Sequence, residues 1–308
     1  MPAESQLPLF SRTRFPAQPQ APLGGIAQPT AEMSILQTLP AYQAYLQSSG
    51  YSQYTPGQFV ADVATVGLLY KDKPLKDLTT QDLQQWIALL KQKTPALSPK
   101  TISRKVTALK NYCTWLARGG VLGAALAESI HASRITSPLP DILFESECEQ
   151  LLKAASAECR TYLLVLLLLE TGMKKEELLA LQVTHFDFSN RYAPVVMIKH
   201  AGKKTRKDRK LKLPAEIIPV FEEYVKTHAI SDSLFPYTRR FLELLLAQVK
   251  EDSGITKKMT ASILRDTYAV RCLRRGETIE TVLLKLGLTE TTWEDAKIKY
   301  RKLASGPL

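Results

Sequence analysis

Ser262-Ile263-Leu264-Arg265-Asp266-Thr267-Tyr268-Ala269 opens a stretch that runs on through Arg274-Arg275-Gly276 to Leu286-Gly287. Residues 261–273 keep a helical repeat of apolar side chains, and Gly276 stops it. Ile279, Val282, Leu283 and Leu286 then recur at three- and four-residue spacing, closed by Gly287. Arg265 sits inside the apolar part of the first helix. On residues alone it is either a helix-surface arginine or the ion-pair partner of Asp266. The tail beyond, Trp293 to Leu303, sets Ala296, Ile298 and Tyr300 among lysines and Arg301. Tyr300 reads on its own as a packing residue that docks a last helix.

Working upstream, Ile217–Val225 and Phe241–Val249 fit helices. Before them, Tyr192–Ile198 and Lys210–Leu213 carry strand patterns, the second alternating Lys, Leu, Lys, Leu ahead of Pro214. They predict a β-hairpin with a long basic tip. Residues 199–212 hold eight Lys or Arg against one Asp, a net charge of +7. Such a tip repels itself unless an anion meets it, which points to nucleic acid. Tyr162–Leu169 is the longest apolar run, eight residues. A membrane span needs about 20, so this is the central helix of a globular unit, broken by Thr171-Gly172. Glu176–Leu181 begins another helical turn, and Ser146 with Glu149 suggests a helix start.

The first third is helical throughout. Ile35, Leu36, Leu39, Tyr42 and Leu46 recur at helical spacing, with Pro40 disturbing the early turns. Thr55 before Pro56 opens a second helix. Thr79 with Asp82 forms a box-like cap for a third, carrying Leu83, Trp86, Ile87 and Leu90. Ser98-Pro99 opens the fourth, which buries Ile102, Val106, Leu109, Cys113 and Leu116 and ends at Gly119-Gly120. Thr101, Arg104, Lys105 and Thr107 remain for the surface, which reads either as an ordinary solvated face or as a helix laid against phosphate, where cations displace counterions.

The chain has 308 residues, which suggests about two domains. It is 45% hydrophobic with a formal net charge of +11. These values exclude a wholly disordered chain, a disulfide scaffold and a fibrous rod, and favour an anionic partner. Residues 1–32 contain six of the 18 prolines and no periodicity, predicting a disordered tail. The expected domains are 33–132 and 141–308, joined by a linker at 133–140. The four cysteines, Cys113, Cys148, Cys159 and Cys272, form no CxxC pair. Reduced thiols and no metal site are therefore expected. Neither a signal peptide nor a membrane span is evident, so the expected location is cytoplasmic.

These segments resemble the tyrosine recombinase (phage integrase) family, Xer-like, over roughly residues 34–302. Leu97-Ser98-Pro99-Lys100-Thr101-Ile102-Ser103-Arg104 is similar to the family's LSxxTIxR helix start, and Tyr112-Cys113-Thr114-Trp115-Leu116 to its FYxWL continuation. Thr171-Gly172-Met173-Lys174-Lys175-Glu176-Glu177-Leu178 resembles TGLRxxEL. Ser262–Ala269 resembles HxLRHTFA, and 276–288 follows GxxIxxxxxxLGH. The resemblance implies an all-α core-binding (SAM-like) domain followed by a mainly α catalytic-type domain with a small β-sheet. It implies double-stranded DNA as partner, with Thr101, Arg104, Lys105, Lys110, Lys203, Lys204, Arg206, Lys207 and Arg209 as DNA contacts. Self-association on DNA follows by the same resemblance, as does association with nucleoid, plasmid or phage DNA. No small-molecule cofactor and no metal is required.

The family's chemistry is strand transfer through a 3'-phosphotyrosine. By resemblance Tyr300 would be the nucleophile, Arg265 and the residue at 174 would neutralise the phosphorane, and Lys203 would protonate the leaving oxygen. This sequence departs from that set. Lys174 stands for the first arginine, Ser262 and Asp266 for two histidines, and Leu288 for the histidine of LGH. Tyr300 lies 12 residues past Leu288, and Lys297 occupies the usual spacing of about nine. Loss of one transition-state donor costs on the order of 10²–10³ in rate, and of a proton-transfer group about 10²–10⁴. The expectation is a recombinase fold kept for DNA binding with strand transfer lost or greatly reduced. The alternative is a divergent active recombinase cleaving through Tyr300.

Overall fold

The computed structural model describes residues 27–51, 54–92, 95–131, 139–199 and 208–306. Most of the predicted tail, the core of the predicted linker and the tip of the basic hairpin lie outside the described residues. The chain divides into two compact units, Met1–Ser137 and Pro138–Leu308.

The first unit is entirely helical among the described residues: α1 (Ile35–Ser48), α2 (Thr55–Tyr70), α3 (Thr80–Gln92), α4 (Pro99–Arg118) and α5 (Ala124–Glu128). Two starts form as their residues dictate. Asp82 accepts from the Thr79 backbone N–H at 2.8 Å while Thr79 Oγ1 accepts from the Asp82 N–H at 3.2 Å. At α4, Ser98 Oγ accepts from the Thr101 N–H at 3.2 Å and Pro99 takes the first helical position. Pro40 lies inside α1 after all. It cannot donate a backbone hydrogen bond to the Leu36 carbonyl, and Tyr42 and Leu46, both fully buried, hold the helix to the core. Tyr42, Tyr112 and Trp115 cluster there, with Tyr42 and Tyr112 edge to face at 5.1 Å. Ile102, expected inside, is half-buried.

The second unit is built around α7 (Cys159–Thr171), whose Leu163–Leu169 are all buried. Around it stand α6 (Glu145–Ala155), α8 (Lys175–Leu179), α9 (Ile217–Thr227), α10 (Arg239–Ser253) and α11 (Ala261–Arg274). The α6 start falls two residues earlier than expected, and it is Glu147, not Glu149, that accepts from the backbone N–H at its head, that of Phe144, at 2.7 Å. A three-stranded antiparallel sheet, β1 (Phe186–Asp187), β2 (Val195–Ile198) and β3 (Arg209–Lys212), lies in the order β1-β2-β3. Val196 pairs with Leu211 and Ile198 with Arg209. β1, only two residues long, leaves too short a pattern to read from sequence. The carboxyl-terminal half of α11 packs with α12 (Ile279–Lys285) and α13 (Trp293–Ala304) in a second cluster that includes Tyr268, Leu283 and Tyr300. Among the described residues no helix is long and apolar enough to cross a membrane.

Candidate functional site

α11 carries three consecutive polar residues, Arg265, Asp266 and Thr267, and all three are buried. Burial of such groups is tolerated only where each finds a partner. Thr267 Oγ1 accepts from the Leu143 N–H at 3.0 Å. Arg265 spans two chain segments: Nη1 donates to the Gly172 carbonyl at 2.5 Å and Nη2 to the Leu286 carbonyl at 2.6 Å. Gly172 ends α7 in the left-handed region, φ +57°, and a Cβ there would come within 2.3 Å of the Tyr268 ring. Only glycine lets this carbonyl sit where the guanidinium meets it.

Both readings of Arg265 are corrected by this arrangement. It is not on the helix surface, and it makes no ion pair with Asp266. Asp266 instead accepts from Tyr300 Oη at 3.0 Å and from Lys299 Nζ at 2.7 and 2.8 Å. Tyr300 is therefore not merely a packing residue, because its hydroxyl is committed to a buried carboxylate. Burial pushes the Tyr300 phenol well up, the Asp266 charge adds to this, and the Arg265 charge opposes it. The hydroxyl keeps its proton and donates. Burial lowers the Arg265 guanidinium from its ordinary value, opposed by Tyr300 and Glu177; a guanidinium stays charged nonetheless. α11 and α13 thus bring Arg265, Asp266 and Tyr300 into one electrostatic neighbourhood.

Arg209, expected to contact DNA, is buried and engaged inside the protein. Its Nη1 and Nη2 donate to the two Glu177 carboxylate oxygens at 3.1 and 2.7 Å, and Nε donates to the Lys285 carbonyl at 2.7 Å. The two arginines thus take successive carbonyls, 285 and 286, at the end of α12. Burial alone would raise Glu177. The Arg209 fork and the Lys174 N–H outweigh that and hold the carboxyl below the usual carboxylate range. Lys174 caps α8, its N–H donating to Glu177 Oε2 at 2.9 Å. Lys297, at the usual tyrosine spacing, pairs with Glu280 and Glu294 at 3.4 and 3.3 Å.

In the first unit Arg104 and Lys105, expected to contact DNA, each have a partner within the protein. Both bind the buried Asp62 of α2, Lys105 at 2.9 Å. Thr101 is half-buried at the α4 cap and Lys110 is exposed, beside an open cavity of about 280 Å³ that also includes Thr114, Arg118 and Glu128. Lys199, Lys210 and Lys212 are exposed on or beside the hairpin strands. Lys203, Lys204, Arg206 and Lys207 lie outside the described residues. Asp62 and Lys299 escaped the sequence reading, and Glu177, quoted in the TGLRxxEL-like run, had no role assigned to it there. The capping role of Glu177 had a signal in its place three residues after Lys174.

Two family models match the chain: "Phage integrase family" over residues 142–290 and "Phage integrase, N-terminal SAM-like domain" over residues 39–120. A tyrosine recombinase of Pseudothermotoga lettingae is 27% identical over 261 residues, covering 82% of this chain and 89% of that protein. The tyrosine recombinase XerC of Bacillus subtilis is 24% identical over 263 residues, covering 79% and 85%. Among solved structures, XerH site-specific recombinase bound to a palindromic difH substrate superposes with a TM-score of 0.70 at 18% identity, covering 88% of this chain and 82% of that one. A lambda integrase tetramer on a Holliday junction gives 0.67 at 14% identity, covering 86% and 77%. With both of its domains matched in order, the helical unit first and the sheet-bearing unit second, the chain belongs to the phage integrase family of tyrosine recombinases.

Proposed function

We propose that this chain binds double-stranded DNA with a tyrosine-recombinase fold and that strand transfer through Tyr300 is lost or greatly reduced. One observation carries the proposal: the Tyr300 hydroxyl is buried and donates to the Asp266 carboxylate. A nucleophile held by a carboxylate meets negative charge where a phosphate has to approach. The first guanidinium of the family site is a lysine here, and the guanidinium nearest Glu177, that of Arg209, is already held by that carboxylate. Leu288 offers no proton. Binding survives these changes because it needs cations on the surface, not a working acid–base set. Lys110, Lys199, Lys210 and Lys212 are exposed, Lys203, Lys204, Arg206 and Lys207 add positive charge to the same stretch of sequence, and Thr101 offers a neutral hydroxyl. XerH was solved bound to a difH substrate, lambda integrase bound to a Holliday junction and the Tn1549 integrase in complex with transposon right end DNA, which supports DNA as the ligand. The lambda integrase tetramer supports self-association on it.

A second reading has its own support, since Arg265 and Tyr300 do lie in one electrostatic neighbourhood. In it Tyr300 Oη bonds to phosphorus, the P–O5' bond breaks, the phenol proton passes to Asp266 and Lys203 protonates the leaving oxygen.

The test uses genomic DNA recovered with the bound protein. Mobility shift on recovered duplexes should be salt-sensitive and weakened across sequences by K203A with K204A. On nicked suicide substrates made from the same sites, no covalent adduct should form. An adduct that disappears in Y300F establishes the second reading and overturns the first. Absence of duplex binding at low salt overturns both.

A further inference from the structure

α7 ends at Gly172, whose carbonyl Arg265 holds. At its other end, about 20 Å away for a helix of this length, three different donor groups meet. Glu158 is the N-cap of α7, Cys159 is its first residue, and His228 follows the last residue of α9. One atom from each, a carboxylate oxygen, the Sγ and an imidazole nitrogen, lie within 4.8 Å of one another.

The Glu158 carboxylate divides its work. Oε2 accepts from the Thr161 N–H at 2.9 Å, from Thr161 Oγ1 at 2.6 Å and from Arg160 Nε at 3.2 Å. Oε1 faces His228 Nε2 at 3.4 Å. The capping bonds therefore fix the carboxylate and leave its second oxygen aimed at the cluster. The Arg160 guanidinium is held over the Tyr237 and Phe241 rings, 5.7 Å from each centroid, on the Oε2 side. The imidazole packs on Tyr224, ring centroids 5.0 Å apart. All three donors are half-buried, positioned by the fold yet open to an ion.

Thiolate, imidazole and carboxylate together are a donor set for a borderline-soft divalent ion, and three protein ligands with one open position is a recurring zinc arrangement. The carboxyl-terminal end of α9 adds partial negative charge at His228. We propose that Glu158, Cys159 and His228 bind one zinc ion, with water in the fourth position. Binding replaces the Cys159 thiol proton with a sulfur–zinc bond and releases that proton to solvent; the imidazole binds neutral. The ion ties the start of α7 to the end of α9. Its distance from Arg265 places it outside any strand-transfer chemistry. Sequence spacing could not reveal it, because His228 comes from a different helix than the adjacent Glu158-Cys159 pair.

The full-length chain, free of any affinity tag, tests this with zinc chloride and cobalt chloride. One zinc per chain should survive desalting, and cobalt should give a thiolate-to-metal charge-transfer absorption. Zinc should also protect Cys159 of the unaltered protein from alkylation by iodoacetamide, read by peptide mass mapping. H228Q should weaken zinc binding by at least about tenfold, C159S should abolish the cobalt absorption, and H131Q should change neither. Failure of the unaltered chain to retain zinc, or to protect Cys159 when loaded, overturns the proposal whatever the variants do. Zinc affinity unchanged from that of the unaltered chain in folded C159S and H228Q places the metal elsewhere and overturns it too. Mobility shift on duplex DNA is a separate readout, so loss of the zinc site and loss of DNA binding remain distinguishable.

Discussion

Asp62 in the first unit and Glu177 in the second are both buried carboxylates that collect cations, and they are built differently. Asp62 draws Arg104 and Lys105 from the protein surface; their side chains stay 37% and 14% exposed. Glu177 holds Arg209 with both partners inside, 7% and 8% exposed. In the first case only the anion is trapped, and its cations can swing to water on long stems. In the second, losing either partner strands a charge in the core. The difference teaches that a cation count read from sequence says little until burial sorts it. The same letter in a basic run can be a DNA contact or part of the core.

The largest expected effect follows from that asymmetry. R209A should destabilise the second unit by about 3–5 kcal/mol, seen as an early transition in calorimetric or urea unfolding. Converting both partners to apolar residues, R209M with E177L, should recover much of the loss, because no charge is left stranded. If R209A behaves like a surface substitution, the contrast between the two carboxylates fails.

Acid sharpens the same contrast. The folded Glu177 carboxyl lies below its unfolded value of about 4.3. Its contribution is therefore present in full above that pH and is lost as pH falls toward its folded value. Unfolding of the second unit should steepen below about pH 4, and R209M should flatten that limb. A pH profile unchanged by R209M removes Glu177 from the account.

D62N should cost less, about 1–3 kcal/mol for the weakened buried hydrogen bonds. It should also free Arg104 and Lys105, so mobility shift should tighten and its salt dependence steepen. Weaker DNA binding by folded D62N would mean the carboxylate presents these cations rather than withholding them. The smallest effect is S98A, about 1 kcal/mol from the lost α4 cap, confined to the first unit.

Local signals were legible. The Thr79–Asp82 box, the Ser98-Pro99 start, the buried run at 162–169 and the alternating hairpin strands each depend on neighbours in the chain, and each formed. Arg209 shows a signal present but outvoted. Strand alternation puts it on the same face as Leu211, and both are buried while Lys210 and Lys212 are exposed. Counting charges along 199–212 hid that. The commitments of Arg104, Lys105 and Tyr300 were not legible at all. Their partners lie on other helices, and a carboxylate in a helix interior carries no mark of the cation it will meet.

The carbonyls of Lys285 and Leu286 deserve to be seen as a shared mooring. One arginine comes to them from a strand of the basic hairpin, the other from the middle of α11. The strand that leads out of the basic hairpin and the helix that carries Arg265 are therefore anchored on neighbouring peptide units.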